Sequence, residues 1–319
     1  MRIGILGTGF MGKMHGNIFK KFPEVTLKGI VGRNESKAIE VASSLETASF
    51  TDPYDLINSN EVDVIDVCYP TAVHAEYVIA ALNHGKHVFC ETPLAYNIDE
   101  AEQMLKAAKT NGRLLLIALY DRFQSQYKYI YEYLNSGKLG KPKAVFANRR
   151  SQPYWSSKDI IVNLMIHDFD YLYWLLGKPN AVCSLGTKTA EGQNEHINVL
   201  LEYQDISVML EGNAIMPKSF PFSTSLRVVC ENGAIELNWH WGPNEPVNDV
   251  ILYPSGGDSE KLVIADYDPY EAECRYFIDC INGKADPELL GIETAYNSLK
   301  IAVAARKSFL GKGKKIEII

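Results

Sequence analysis

The chain has 319 residues, 46% of them hydrophobic and 22% charged, a composition that is typical of a folded globular protein with room for two domains. Its 32 basic and 39 acidic residues give a formal net charge of −7, which disfavours a protein that neutralises nucleic-acid phosphates. The longest purely apolar stretch, 114–119, is far below the ~18 residues of a membrane span, so we expect a cytoplasmic protein with neither a nucleic-acid nor a membrane partner.

Short apolar segments alternate with helical periodicity over the first 120 residues. The predicted strands are RIGILG, TLKGIVG, VDVIDVCYP, KHVFCETP and RLLLIALY, and helices are predicted at 11–19, 37–45, 74–83 and 98–109. Strands that are apolar on both faces and alternate with helices are typical of a parallel sheet that helices cover on both sides. We therefore predict an α/β domain over residues 1–120.

The pattern changes after residue 120. A helix at 126–135 precedes a series of alternating strands, AVFANRR, INVLLEYQ, ISVMLEGNA, LRVVCENG and AIELNWH. Further helices are predicted at 161–176, 269–282 and 292–310. This pattern predicts a second domain over 121–319, of the α+β class, with a large and mainly antiparallel open sheet. The basic pair Arg149 and Arg150 within the first of these strands is expected to be solvated surface.

Cysteine and histidine positions give no indication of a metal site. The six cysteines lie at 68, 90, 183, 230, 274 and 280 without a C-x-x-C pair, which predicts buried, reduced thiols. His84 and His87 are close in sequence, but Gly85 between them marks a helix end. One helical face therefore cannot present both imidazoles to a metal.

Residues 7–12, GTGFMG, fit the pattern G-x-G-x-x-G between a predicted strand and a predicted helix. Glycines in this pattern permit a tight turn and let the backbone approach a pyrophosphate, whose charge is met at the helix N-terminus. The motif predicts a dinucleotide site in a Rossmann domain, and the alternative is a glycine-rich turn needed only for packing. The predicted contacts are Gly7, Thr8, Gly9, Phe10, Met11 and Gly12.

The choice of dinucleotide depends on the end of the second strand, where NAD enzymes place an acid on the ribose 2′-hydroxyl. Here Gly32 and Arg33 occupy that place, and no acid follows until Glu35. Arg33 and Lys37 could pair with a 2′-phosphate, so NADP is the expected cofactor and NAD the second candidate. The alternative is a surface arginine without a phosphate contact.

Several segments together resemble the Gfo/Idh/MocA family of NAD(P)-dependent oxidoreductases, and the resemblance covers essentially the whole chain. They are GTGFMG, DVIDVCYPTAVHAEYVIAALNHGKHVFCETPLA, GKLGKP, IHDFDYLYWLLG and ETAYNSLKIAVAARKS. The resemblance implies an N-terminal Rossmann domain and a C-terminal α/β domain whose open sheet builds a homodimer or homotetramer. It also implies hydride transfer between the nicotinamide and a sugar, an inositol or a related polyol.

Two positions depart from the pattern of this family. The family motif Glu-Lys-Pro reads Glu91-Thr92-Pro93 here, so Thr92 replaces a lysine that lies between nicotinamide and substrate. The family also carries an aspartate four residues before a catalytic histidine, where this chain has Asn163 before His167. Thr92 can donate a hydrogen bond but cannot carry a positive charge, and Lys158 is the nearest candidate to replace the missing ammonium.

His167 is the predicted general acid/base, because an imidazole exchanges protons near neutral pH. The alternative is a histidine that is satisfied within the core. We expect Thr92 and His167 to border one crevice, with Thr92 and Asn163 completing the catalytic set. The resemblance places the nicotinamide end of the cofactor near Cys68, Tyr69, Pro70, His74 and Glu91.

The predicted substrate contacts are polar and aromatic residues near the domain junction and the helix that carries His167. They are Tyr120, Arg122, Tyr154, Trp155 and Asp168. Tyr154 and Trp155 could instead pack beneath a loop. Two functions remain open from the sequence: an oxidoreductase acting on a carbohydrate-like alcohol or ketone, and a non-catalytic dinucleotide-binding sensor of the same fold.

Overall fold

The structure, a computed structural model, describes residues 1–153, 159–188, 194–242 and 245–319. Its strands are β1 (Arg2–Leu6), β2 (Thr26–Val31), β3 (Ser49–Phe50), β4 (Val64–Val67), β5 (His87–Cys90), β6 (Leu115–Ile117), β7 (Pro142–Arg150), β8 (Ala181–Lys188), β9 (Asn194–Glu202), β10 (Ser207–Asn213), β11 (Ser223–Cys230), β12 (Gly233–Trp241), β13 (Pro246–Pro254), β14 (Glu260–Leu262) and β15 (Ile316–Glu317).

The α-helices, with 3₁₀ turns left aside, follow the same chain order. They are α1 (Phe10–Phe19), α2 (Glu35–Leu45), α3 (Pro53–Ile57), α4 (His74–Asn83), α5 (Ile98–Asn111), α6 (Ser125–Asn135), α7 (Ile160–Asn163), α8 (Ile166–Leu176), α9 (Pro269–Ile281) and α10 (Ile292–Leu310). Within the described ranges, no helix combines the length and the apolar character that crossing a membrane requires.

The chain divides into two compact units, and the division differs from a single boundary at residue 120. The first unit contains 1–120 together with 268–296, and the second contains 121–267 together with 297–319. The segment 268–296 joins the first unit because α9 buries an apolar face there. Phe277 of α9 stacks on Phe89 of β5, with the ring centroids 4.6 Å apart. Periodicity predicts such a helix but not the sheet on which it packs.

The first unit contains a six-stranded sheet in the order β3-β2-β1-β4-β5-β6, and every pairing in it is parallel. This confirms the predicted parallel sheet. Its central strands are apolar on both faces, and Ile3, Val64 and Val88 are fully buried. β3 and α3 were not predicted, because two and five residues are too few to show a period.

The second unit contains a nine-stranded sheet in the order β14-β13-β12-β11-β7-β10-β9-β8-β15. β7 and β10 pair in parallel and the other neighbours pair antiparallel, which confirms the predicted mainly antiparallel sheet. One row of paired residues crosses the outer face, where Leu200 lies opposite Met209 and Met209 lies opposite Phe146.

The single helix predicted over 161–176 is two helices in the structure, so that prediction was wrong. The chain leaves the helical hydrogen-bond pattern at Met165, whose amide bonds to the carbonyl oxygen of Ile160, five residues earlier, at 2.9 Å. Met165 packs tightly against Gly212, where a Cβ would lie 2.3 Å from the sulfur. Asn163 and His167 therefore lie on different helices despite their four-residue spacing.

Candidate functional site

The glycine motif forms the turn between β1 and α1, and its glycines meet different constraints. Gly7 has a φ of +130°, and a Cβ there would lie 2.6 Å from the carbonyl oxygen of Cys68. A Cβ on Gly12 would lie 1.9 Å from the carbonyl oxygen of Gly7. At Gly9, by contrast, a Cβ would meet no atom within 4 Å. Packing therefore requires Gly7 and Gly12, whereas Gly9 leaves space for a ligand to approach the backbone.

The N-terminus of α1 suits the negative charge of a diphosphate. Gly9 caps the helix without a side-chain hydrogen bond, and the first turn contains no acidic residue. Amides of a first helical turn have no partner within the helix, and the helix dipole favours an anion beside them. Phe10 is 73% exposed and Met11 is half-buried, while Thr8 packs against Gly32. The motif residues thus fit a dinucleotide diphosphate.

The predicted specificity residues follow β2. Arg33 and Lys37 are both exposed, and Asn34 between them caps α2 by accepting a hydrogen bond from the Lys37 amide at 2.9 Å. The cap fixes the first turn of α2, and the two cationic side chains extend from this region into solvent. The acidic Glu35 is exposed on the same turn.

Glu91 and Thr92 follow the last residue of β5. The Glu91 amide still bonds to the carbonyl oxygen of Val67 in β4 at 3.0 Å, and the Thr92-Pro93 peptide bond is cis. The Thr92 amide donates to Oε2 of Glu91 at 3.3 Å. Both side chains are half-buried at the carboxyl end of the parallel sheet, which is where ligands of such sheets bind.

His74 lies beneath the loops that follow β4 and β5. It is 1% exposed, and its two ring nitrogens lie 2.7 Å from the Tyr69 carbonyl oxygen and 3.1 Å from the Pro93 carbonyl oxygen. Burial lowers the pKa of His74. Pro70 is exposed and Tyr69 is half-buried, with burial raising the pKa of Tyr69 to about 12. The structure therefore places His74 where it connects the two loops.

The structure also places a charged cluster beneath Glu91 that sequence reasoning missed. His15 of α1 and Asp66 of β4 are both fully buried, and Nδ1 of His15 lies 3.0 Å from Oδ2 of Asp66. The sequence contains one indication of this cluster, Asp66 in the apolar strand VIDV, since a buried carboxylate requires a partner.

In the second unit, His167 lies in the first turn of α8 and is half-buried. Burial and the nearby Arg149 guanidinium together lower the pKa of His167 to about 4, against the opposing charges of Asp121 and Asp170. Among the described residues, none makes a hydrogen bond to this imidazole. The ring is therefore neutral at neutral pH and able to accept a proton. Asn163 donates from its side-chain amide to the carbonyl oxygen of Asp159 at 2.8 Å.

Arg149 is buried, so the expectation of a solvated Arg149-Arg150 pair was wrong for the first of the two. Its guanidinium donates to Asp168 at 2.9 Å and to Asp121 at 2.5 Å, and it is 5% exposed. The alternation of side chains along the strand could have predicted the burial of Arg149, because Arg149 shares a face of β7 with the buried Val145 and Ala147. Arg150 faces the other side and pairs with a glutamate of β10.

The predicted substrate contacts have different surroundings. Tyr120 is half-buried and packs on Tyr270, with the ring centroids 4.3 Å apart. Arg122 is 2% exposed and makes a bidentate pair with Asp170, at 2.8 and 2.9 Å. Asp168 is likewise paired with Arg149. Little of the Arg122 or Asp168 side chain reaches solvent, so neither is accessible to a substrate in this structure. Tyr154, Trp155 and Lys158 lie outside the described residues.

Two family models match the chain. Residues 1–119 match the NAD-binding Rossmann fold of the Gfo/Idh/MocA oxidoreductase family, and residues 127–236 match the Gfo/Idh/MocA C-terminal domain. The chain is 31% identical over 327 residues to myo-inositol 2-dehydrogenase of Thermotoga maritima, a match that covers 97% of this chain and 96% of that protein.

The chain is also similar to a second relative and to a solved structure. The chain is 30% identical over 181 residues to an uncharacterised oxidoreductase of Bacillus subtilis, which is 54% of this chain and 53% of that protein, so the match spans about half of each. The structure of UDP-N-acetylglucosamine 3-dehydrogenase from Acidithiobacillus ferrooxidans shares the fold, with a TM-score of 0.85, 22% identity and 98% of each chain covered.

Proposed function

Because the chain belongs to the Gfo/Idh/MocA family of NAD(P)-dependent oxidoreductases, which act on CH–OH groups, we propose that it transfers a hydride between NADP(H) and a sugar, an inositol or a related polyol or ketone. The observation that carries this proposal is the open space at Gly9 beside the N-terminus of α1, which no side chain caps. The relative named as a myo-inositol 2-dehydrogenase supports a polyol as the substrate class.

The chain's own residues bind and orient the dinucleotide, whose nicotinamide supplies or accepts the hydride when bound. Backbone amides of the Gly9–Met11 segment meet the diphosphate. Cys68, Tyr69, Pro70 and His74 border the nicotinamide end, with His74 holding the loops after β4 and β5 together. Glu91 and Thr92 provide polar groups at the same edge of the sheet.

We assign the NADP preference to Arg33 and Lys37. Both are exposed cations after β2, and charge-assisted hydrogen bonds to a 2′-phosphate are worth ~1.5–3 kcal/mol. Such a contribution corresponds to a roughly ten- to hundred-fold preference for NADP over NAD. Fluorescence titration with NADPH and NADH measures this ratio, and replacing Arg33 by Ser should remove most of it. Tighter binding of NADH by the unchanged protein would contradict the assignment.

The proton chemistry belongs to His167. A neutral imidazole accepts the hydroxyl proton as an alcohol is oxidised and returns it in the reverse direction. The lowered pKa keeps the imidazole unprotonated at neutral pH, which suits the base of the oxidation. Asn163 cannot stabilise an imidazolium by charge, so its expected part is restricted to hydrogen bonding. Tyr120 is the proposed substrate contact among the described residues.

Thr92 makes this a weakened form of the family's usual site. A threonine hydroxyl can donate a hydrogen bond to the substrate oxygen, but it cannot neutralise a developing alkoxide. Loss of one such donor typically costs ~10²–10³ in rate. Slow turnover is therefore the expectation.

The absent ammonium also favours a second function, that of a dinucleotide sensor without turnover. Spectrophotometric assays of NADP reduction with a panel of inositols and sugars, and of NADPH oxidation with the matching ketones, separate the two. Turnover with any of them supports the oxidoreductase. Tight NADPH binding with no turnover across the panel would support the sensor. If the protein binds neither NADPH nor NADH, both proposed functions are refuted.

We also propose that the protein forms a homodimer or homotetramer through the outer face of the nine-stranded sheet. Leu200 and Met209 are 53% and 40% exposed, and they lie next to Phe146 in one cross-strand row. Such an apolar row is favourably covered by another copy. Light scattering should show a lower mass for Met209→Glu than for the control Ile39→Glu, which alters an exposed side chain on α2. Equal masses for both variants would refute this interface.

A further inference from the structure

The cluster around His15 places two carboxylates beside one buried imidazole. His15 is fully buried, with Nδ1 3.0 Å from Oδ2 of Asp66 and Nε2 3.3 Å from Oε1 of Glu91. The two carboxylates come from the carboxyl ends of neighbouring parallel strands. The imidazole is the group that lies between them.

Both ring nitrogens face acceptors, so a proton on each nitrogen is electrostatically favoured. A neutral imidazole would turn one lone pair towards a carboxylate, whereas an imidazolium offers an N–H on both sides. Burial opposes the charge, but Asp66, Glu91 and Glu273 of α9 outweigh it and raise the pKa of His15 to about 9. Burial also raises the pKa of Glu91 to about 7, and His15 opposes that rise.

The other titratable groups in the cluster are thiols that stay neutral. Cys68 follows β4, with its sulfur 3.5 Å from Nδ1 of His15 and from both carboxylate oxygens of Asp66. Burial raises the pKa values of the Cys68, Cys90 and Cys274 thiols well above the ordinary range. Protonated His15 is therefore the group in this cluster that carries the positive charge.

Aromatic packing fixes the orientation of the imidazole. The His15 ring stacks on Phe89 of β5, with centroids 5.3 Å apart and planes at 22°, and it meets Phe19 of α1 edge-on at 6.0 Å. Among the described residues, neither Nε2 of His15 nor Oε1 of Glu91 has a hydrogen-bond partner of good geometry. Their 3.3 Å contact is thus a close approach of the two groups without a well-aligned hydrogen bond.

The Glu91 carboxylate connects His15 to the proposed cofactor site. Its Oε1 faces His15, while its Oε2 accepts from the Thr92 amide at 3.3 Å. We propose that His15 is a positioning residue that bridges Asp66 and Glu91 as a cation and so holds the Glu91 carboxylate, and with it the Thr92 backbone, at the cofactor-binding edge of the sheet. This inference rests on the proposed function in one respect, the contact of Glu91 with the dinucleotide.

A double-mutant cycle tests the positioning role. NADPH affinity is measured by fluorescence for the unchanged protein and for the variants His15→Gln, Glu91→Gln and the pair, with His87→Gln as the matched control. His87 lies at the opposite end of β5 from Glu91 and is half-buried. The expected result is a roughly tenfold loss for His15→Gln, and no added loss when Glu91→Gln is already present. An equal loss in both backgrounds, or none in either, would overturn the proposal.

An NMR titration of histidine-labelled protein without cofactor tests the charge directly. The expected result is a His15 imidazolium that persists up to a pH of about 9 and titrates at lower pH in Glu91→Gln. A neutral His15 at pH 7 would overturn the bridge. If the unchanged protein binds no dinucleotide, the proposed function fails, but the titration still determines the charge on His15. The titration also does not depend on whether a His15 variant folds.

Discussion

Replacing Arg149 by Met should destabilise the second unit strongly, because it removes the guanidinium that bridges two buried carboxylates. Asp121 and Asp168 have side chains that are 2% and 7% exposed, and they lie 2.5 and 2.9 Å from Arg149. Removing one partner of a buried ion pair costs ~3–5 kcal/mol, since the remaining charge is left without compensation. Asp121 retains a hydrogen bond from Gln124, so the larger share of the cost is expected at Asp168.

The predicted cost depends on pH with a definite sign. Burial already raises the pKa of Asp168 although Arg149 opposes the rise, so loss of Arg149 should raise that pKa further. A carboxyl whose pKa is raised in the folded state destabilises the protein above its unfolded pKa. The deficit of Arg149→Met should therefore be largest at neutral or higher pH. It should shrink as acidification protonates the buried carboxyl groups.

Urea unfolding followed by tryptophan fluorescence is the suitable assay, because Trp174, Trp239 and Trp241 belong to the second unit and the sequence has no tryptophan in 1–120 or 268–296. A loss of ~4 kcal/mol corresponds to a decrease of roughly 2 M in the urea midpoint. Arg227→Met is the control, since that guanidinium is 48% exposed and lies 3.8 Å from Glu236; it should cost at most about 1 kcal/mol. Equal costs for the two variants, or a cost that does not change with pH, would refute the reasoning.

Three further outcomes are expected. Replacing His167 by Ala should slow turnover by ~10²–10⁴. Because the pKa of His167 is lowered to about 4, alcohol oxidation by the unchanged protein should decline only as the pH approaches that value. A decline of kcat that is centred near the ordinary histidine pKa of about 6.5 would contradict this. Thr92→Lys should raise kcat by up to ~10²–10³ through the added ammonium, whereas a rate equal to that of Thr92→Ser would show that charge is not limiting there. Gly12→Ala should lower the melting temperature and abolish NADPH binding, because its Cβ would lie 1.9 Å from the Gly7 carbonyl oxygen, whereas Gly256→Ala, which meets no atom within 4 Å, should melt like the unchanged protein.

Local sequence patterns were sufficient for a parallel sheet in the first unit and a mainly antiparallel sheet in the second, although β3, β8, β13, β14 and β15 were not predicted. The strands of the first unit are short apolar runs, and the helices between them follow from periodicity. The C-terminal helix predicted at 292–310 coincides with α10 (Ile292–Leu310). Periodicity did not predict the break between α7 and α8, where Met165 closely approaches Gly212 of β10.

The sequence by itself determined the family, the two sheets and the glycine turn, because strand alternation, helical period and backbone freedom are properties of neighbouring residues. The tertiary structure decided which charges are buried and what they face. Arg149 lies between two aspartates, and His15 lies between Asp66 and Glu91. These partners are far apart in the chain, and the charge and pKa of each group depend on the distances and burial that folding creates.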